Sequence, residues 1–355
     1  MDEEAEKSTI SLSEKMWNWK IQLVEAYKRR PLSYWILLLL SSGLMLVALP
    51  AAGLTGRMYY QNGGKSKWII SWATIAGWPI TALMLPPSYF FLKTYPTPLT
   101  LQLLLSYLVL GFINCAHNMM FAYAYAYLPA STGTLLSSAM LVFSCLFGYI
   151  IVNNKLNASI INAVVIITAA ITIVALDSDS GDRYDNVSDH QYIWGFIWDV
   201  LASIFHALLY PLYELLFNTI LGRRSFVVVL EQRAMVSIFT FVFTSIGVIV
   251  NKDFEGMKSE AETFVGGVTC YVKLLIWVAI TFQLGAIGIT GIVFLASSVT
   301  AGVQNAVAIP ITSIAAVLVL NDPMSGLKMM SFLLTFWGFA CYIYATSPSS
   351  NISST

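Results

Sequence analysis

The sequence predicts an all-α integral membrane protein of about ten transmembrane helices, arranged as two inverted five-helix repeats. Three observations predict it. Of the 355 residues, 57% are hydrophobic and only 11% charged, against roughly 25% charged in a typical soluble domain. Mean hydropathy is +0.71, and apolar segments of about 20 residues, the length that crosses a hydrocarbon core, recur along the chain. A weak internal repeat supplies the third observation. This composition excludes a soluble enzyme, a DNA-binding protein and a secreted scaffold. Because 19 Lys+Arg balance 19 Asp+Glu, no nucleic acid or other polyanion is implied as a partner, and the expected surroundings are a lipid bilayer.

The spans are placed near Ser33–Leu54, Trp68–Phe91, Leu99–Tyr125, Ser131–Val152, Ala158–Leu176, Tyr192–Phe217, Phe226–Val250, Tyr271–Phe294, Ala296–Leu320 and Leu327–Tyr344. Nine spans are the alternative, because almost no loop separates two helices at Leu128-Pro129-Ala130 and at Leu295-Ala296. The expected organisation is an amino-terminal arm (1–32), a first five-helix repeat (33–176), an acidic loop (177–191), a second repeat (192–344) and a tail (345–355).

Lys28-Arg29-Arg30 abuts a first span too long for a signal-peptide core, so that helix is expected to remain as an anchor. With an even number of spans, ten Lys and Arg fall on the side of the arm and seven on the other. The cluster beside the first span then makes both termini cytoplasmic and turns Asp177–Asp189 and Asn251–Gly267 outward. Cys115, Cys145, Cys270 and Cys341 have no metal-ligand spacing and read as small core hydrophobes. No ATP-binding loop or metal motif occurs, so no cofactor, metal or enzymatic activity is expected, and any uphill movement must draw on a gradient.

A shift of 168 residues lays Ser131-Thr132-Gly133-Thr134 over Val299-Thr300-Ala301-Gly302, and Val152-Asn153-Asn154 over Leu320-Asn321-Asp322. Five spans separate the copies, and five is odd, so the halves have opposite orientation. That is the pattern of secondary transporters, whose substrate site lies between the halves. Chance alignment of small-residue membrane helices is the competing explanation.

Gly56-Arg57-Met58-Tyr59-Tyr60, Gly63-Gly64-Lys65-Ser66-Lys67-Trp68 and Gly77-Trp78-Pro79 open a series of motifs that continues in order. The series runs through Tyr127-Leu128-Pro129-Ala130-Ser131-Thr132, Pro211-Leu212-Tyr213-Glu214-Leu215, Val229-Leu230-Glu231, Ile280-Thr281-Phe282-Gln283 and Trp337-Gly338-Phe339. It resembles the plant purine permeases, members of the ten-helix drug/metabolite transporter superfamily, over nearly the whole chain after residue 30. The resemblance implies uptake of purine nucleobases and derivatives such as cytokinins, or of alkaloids. Three departures bear on selectivity. His117-Asn118 replaces a pair usually containing Asp, Met140 replaces a usual Gln, and Phe282 replaces a usual Trp. A thioether in place of an amide removes a donor and an acceptor and adds an adaptable apolar surface, which suits a bulkier, less polar heterocycle such as a benzylisoquinoline.

Within the spans only three carboxylates remain, Asp199, Glu214 and Glu231. A carboxyl in lipid must be paired, protonated or turned to water, so each is a candidate for proton coupling. On the sixth span Asp199, His206 and Tyr213 recur every seven residues, within about 20° of one face, with Tyr210 nearby. Either this face lines a path, or Asp199 reaches interfacial water and the tyrosines simply pack. Glu214 has Arg223 and Arg224 as possible partners. Arg233 is two residues from Glu231 and cannot face it, so Glu231 has either an interhelical salt bridge or a coupling role. On the third span Asn114, His117, Asn118, Phe121 and Tyr125 form one stripe, open to interhelical bonding or to substrate; the resemblance favours binding by His117 and Asn118. Tyr123, Tyr125 and Tyr127 are also read as an interfacial belt. Gln283 and Asn305 complete the candidate binding residues.

The expected function is proton-coupled uptake of planar nitrogen heterocycles across the plasma membrane, with the heterocycle and protons as partners. The alternatives are a channel or receptor for such ligands, or a facilitator without proton coupling. The sequence carries no signal for the oligomeric state.

Overall fold

The computed structural model describes residues 31–129, 132–133, 136–137, 139–154, 157–176, 187–222, 225–321 and 324–346. Most of the arm, the acidic loop and the tail, together with Ser131, Thr134, Arg223, Arg224 and Asp322, lie outside the described residues. The elements are α1 (Leu32–Gln61), α2 (Lys67–Ala76), α3 (Trp78–Leu92), α4 (Leu101–Tyr127), α5 (Ala139–Val152), α6 (Ala158–Leu176), α7 (Asp189–Leu216), α8 (Val227–Val250), α9 (Asp253–Thr263), α10 (Gly267–Leu295), α11 (Ser298–Leu320) and α12 (Gly326–Thr346). A π-helical turn, Phe217–Leu221, extends α7. No strand occurs among the described residues.

Helices stand at all ten expected segments, with α2 and α3 sharing the second. Six stretches are long and apolar enough to cross a membrane: α1, α2 with α3, α4, α7 with its π turn, α8 and α10. The sequence did not announce α9, whose first turn carries Asp253 and Glu255 where the helix dipole favours negative charge.

Local chemistry sets the ends and bends. Ser66, Thr100 and Ser297 accept the amides of Ile69, Leu103 and Thr300 at the starts of α2, α4 and α11. Ser188 and Gln191 form a reciprocal capping box on α7. Pro50 and Pro211 interrupt the ladders of α1 and α7. The break between α2 and α3 falls at Gly77, followed by Pro79. A Cβ on Gly77 would stand 2.4 Å from the Ala279 carbonyl oxygen, so this close approach to α10 requires glycine.

The closest helix pairs are α1 with α10, α4 with α7, and α6 with α12. Next come α5 with α7, α1 with α11, α4 with α8, α3 with α8 and α2 with α10. In lipid such contacts depend on small residues that let backbones approach. A Cβ on Gly288 would lie 2.6 Å from Ser41 O and 2.7 Å from Met45 N. A dense cluster gathers around Tyr107, Tyr210, Phe217, Val229 and Ile292. There Phe217 and Phe226 meet Phe294 edge to face at 5.3 and 6.0 Å. Cys115 and Cys145 are buried as expected, but Cys270 is exposed beside Gly266 and is a surface thiol rather than a core hydrophobe.

Candidate binding cavity between the helices

Between the cluster around Tyr107 and a second one around Tyr59, Ile69 and Tyr271 the bundle holds a cavity. Of about 950 Å³, counted out to its mouth, it runs from the middle of α1 and α4 to Tyr60 and Tyr125. Its walls include Pro50 and Gly53 of α1, Ser71 and Thr74 of α2, Phe282 of α10, and Asn305 and Thr312 of α11. Of the residues expected to bind substrate, His117, Asn118, Phe121, Met140, His206 and Asn305 line it. A narrow chamber, about 350 Å³ when its open space is counted, adjoins it and shares His117, His206, Leu49 and Phe282 with the first. Asn114, Tyr210 and Tyr213 line this deeper part. The stripe on α4 thus meets His206, Tyr210 and Tyr213 of α7 on two adjoining voids.

A hydrogen-bond chain orients the central histidine. Thr240 Oγ1 donates to the Val236 carbonyl at 2.8 Å and accepts Asn114 Nδ2 at 3.0 Å. Asn114 therefore presents its carbonyl oxygen to His117 Nε2, 2.9 Å away. An amide oxygen only accepts, so Nε2 carries the hydrogen, which in the neutral ring leaves Nδ1 a lone pair. That Nδ1 is buried without a partner among the described residues, as is Asn118 Nδ2. Buried polar atoms are normally satisfied, so two such atoms on a cavity wall mark where a ligand's own groups fit.

Aromatic surfaces surround this pair. The His117 and His206 rings stack at 4.6 Å and 7°. Phe121 stands edge-on to His117 at 5.7 Å and stacks on Tyr125 at 5.9 Å. Tyr125 therefore belongs to the cavity rather than to an interfacial belt, whereas Tyr123 and Tyr127 gather round Lys67 Nζ at 5.5 and 5.3 Å. Met140 Sδ lies 3.5 Å from Asn305 Nδ2. The thioether thus supplies a weak acceptor as well as an apolar surface.

The three carboxylates occupy different settings. Asp199 is fully buried behind the cavity wall rather than at interfacial water, with Ser137 Oγ at 3.3 and 3.4 Å from its two oxygens. That hydroxyl also donates to Gly133 O at 2.9 Å, so one hydrogen is shared between two acceptors. Glu214 accepts the Ser298 amide at 2.7 Å, at the amino end of α11; its expected partners Arg223 and Arg224 lie outside the described residues. Glu231 turns away from both chambers. It accepts Tyr89 Oη at 2.6 Å, Thr97 N at 3.1 Å and Thr97 Oγ1 at 2.5 Å. The interhelical contact of Glu231 among the described residues is with these neutral donors rather than with a cation.

Gln283 does not line either chamber. Its Nε2 donates to Thr81 at 2.8 Å and Ser237 at 3.2 Å, and its Oε1 accepts Arg233 at 3.3 Å. It holds Arg233, the main cavity residue that sequence reasoning missed. Arg233 was weighed only as a neighbour of Glu231, but two positions along α8 put the side chains on different faces. It reaches the deeper chamber, buried, with its guanidinium 5.9 Å from the Phe282 ring. No ion pair joins it to a carboxylate among the described residues. Ser71 and Ser137 were also missed, because single serines in apolar helices carry no pattern.

A family profile described as purine nucleobase transmembrane transport matches residues 36–351. Probable purine permease 5 of Arabidopsis thaliana is 56% identical over 353 residues, covering 99% of this chain and 98% of that protein. Probable purine permease 11 of the same plant is 33% identical over 320 residues, covering 89% and 84%. Purine permease 21 is 30% identical over 346 residues, covering 96% and 85%. One solved crystal structure superposes with a TM-score of 0.52 at 13% identity, covering 85% of this chain and 97% of the other, a likeness of fold alone.

Proposed function

The chain belongs to the purine permease family, and from that premise we propose that it is a proton-coupled importer of purine nucleobases and related planar nitrogen heterocycles. It works across the plasma membrane, with both termini cytoplasmic, by alternating access between two inverted five-span halves. The observation that carries this reading is the cavity between the helices, walled by stacked rings and holding unsatisfied polar atoms of His117 and Asn118. Its size suits a small molecule, and an aromatic wall with a few convergent polar groups suits a flat heterocycle.

The helix pairing supports the repeat. Numbering the spans one to ten, exchange of each span for the one five places on turns the pair of spans one and eight into six and three. Likewise four and six become nine and one, and three and seven become eight and two, while five with ten, two with seven and four with nine map onto themselves. Asn153 and Asn321, aligned by the 168-residue shift, both follow a helix in the left-handed conformation, with φ of 56° and 55°. Two equivalent helix ends closed by the same left-handed asparagine accord with duplication.

Asp199 is the proton carrier in this account. It stands one hydroxyl from the cavity and shares that donor, whereas Glu231 and Glu214 are engaged as ties between segments. A carboxyl that exchanges its proton as the cavity changes sides needs a short route to the void, here through the Ser137 hydroxyl, and few fixed donors. The testing experiment is uptake into proteoliposomes under an imposed pH gradient. Substrate accumulation that a protonophore abolishes supports coupling, and equilibration regardless of the gradient refutes it.

A further inference from the structure

We propose that Arg233 reads the edge of a substrate lying in the main cavity, so that the deeper chamber receives the acceptor edge, the keto oxygen and ring nitrogen of a 6-oxopurine, in preference to that of a 6-aminopurine or a protonated amine. This rests on the reading of the chain as a purine transporter and narrows its substrate class.

A guanidinium carries five donors and no acceptor, and it remains charged. Here it is held in place. Gln283 Oε1 takes one terminal nitrogen at 3.3 Å, and the amide of Gln283 is itself fixed by Thr81 and Ser237. The Phe282 ring lies 5.9 Å away. Arg233 Nε is nevertheless buried without a partner among the described residues, as is Tyr210 Oη on the same chamber. Tyr213 also bonds the guanidinium, but among the described residues the buried cation has no carboxylate and Nε stays a free donor, which an acceptor from the ligand completes.

The purine edge decides which ligand supplies it. A 6-oxopurine offers O6 and N7, two acceptors spaced for the arginine fork, whereas adenine offers N7 beside an amino donor. The amino group of adenine facing Arg233 sets donor against donor and leaves both unpaired. A protonated amine meets like charge in a chamber with no acid on its described walls. His117 Nδ1, fixed as an acceptor at the junction of the two voids, suits a ring N–H of the same ligand. The cavity therefore asks for an acceptor edge inward and an N–H donor toward α4.

The test uses the full chain in proteoliposomes, with uptake of labelled hypoxanthine and labelled adenine measured separately and each challenged with hypoxanthine, adenine and unsubstituted purine. On the unaltered protein, hypoxanthine should inhibit at about one-tenth the concentration of adenine, or lower, with purine between them. R233M should lower the hypoxanthine-to-adenine preference about tenfold, read as the ratio of their inhibitory concentrations, while R233K keeps part of it. Adenine binding as well as hypoxanthine on the unaltered protein overturns the proposal while leaving purine transport standing. Uptake of neither base removes the transport reading and this proposal with it. The comparison of bases on the unaltered protein decides the matter even where R233M does not fold.

Discussion

Glu231 ties α8 to α3 and the turn after it at one end of the bundle, and removing its charge should release that end. The carboxylate on α8 receives two hydroxyls and one amide from Tyr89 on α3 and Thr97 just after it. At the opposite end Glu260 on α9 receives the amides of Lys65 and Ser66 at 3.0 and 3.1 Å and the hydroxyls of Tyr59 and Tyr271. Both ties link span two, or the turn beside it, to span seven or the segment after it, once at each end. In E231Q one oxygen remains to accept, while the new NH2 faces groups that were donating. The loss of charge assistance and of one acceptor amounts to about 2–3 kcal/mol, or a roughly 30- to 150-fold shift toward the state open at that end. Thr290 lines the deeper chamber and is 2% exposed. T290C, made with the four native cysteines replaced, should react with an impermeant maleimide from the Glu231 side tens of times faster when E231Q is added. E260Q should act in the opposite sense, slowing that reaction and opening the other end. Labelling rates within about twofold of the parent for both variants, in protein of unchanged thermal stability, would refute the latch reasoning.

Other outcomes follow from single contacts. D199N should retain exchange of labelled purine across the membrane but lose gradient-driven accumulation, because an amide cannot carry the proton; unchanged accumulation would move the coupling role elsewhere. M140Q restores an amide beside Asn305 Nδ2 and should improve adenine as a competitor by about tenfold, read from inhibition of uptake. G288A places a methyl group against the backbone of Ser41 and Met45. It should destabilise the folded protein in detergent by about 1–3 kcal/mol, seen as a lowered melting temperature.

Much of the fold was legible because a lipid environment admits few solutions. Once apolar length marks a span, the backbone must be helical, and the helices stand where hydropathy put them. The α4 stripe was legible for the same reason, since three- and four-residue spacing alone puts Asn114, His117, Asn118 and Phe121 on one face. What escaped was contact between distant segments. Nothing near Glu231 in sequence pointed to Tyr89 and Thr97, and nothing near Gln283 pointed to Arg233, fifty residues away on α8. Helix α9 was also missed, because a short polar segment between spans has neither the length nor the hydropathy that made the others visible. The direction of each side chain depends on helix pairing, which a single sequence states only through a faint repeat.

The most direct measurement is purine uptake by the purified chain in proteoliposomes buffered near pH 7.5 inside, with the outside set to pH 5.5 or 7.5 and empty liposomes subtracted. Two pH units supply about 2.7 kcal/mol. For one proton per electroneutral cycle the account predicts accumulation approaching 100-fold over the external concentration at pH 5.5, no accumulation at equal pH, and collapse on adding a protonophore. Internal purine that never exceeds the external concentration, at either pH, in protein that still binds the base would contradict it.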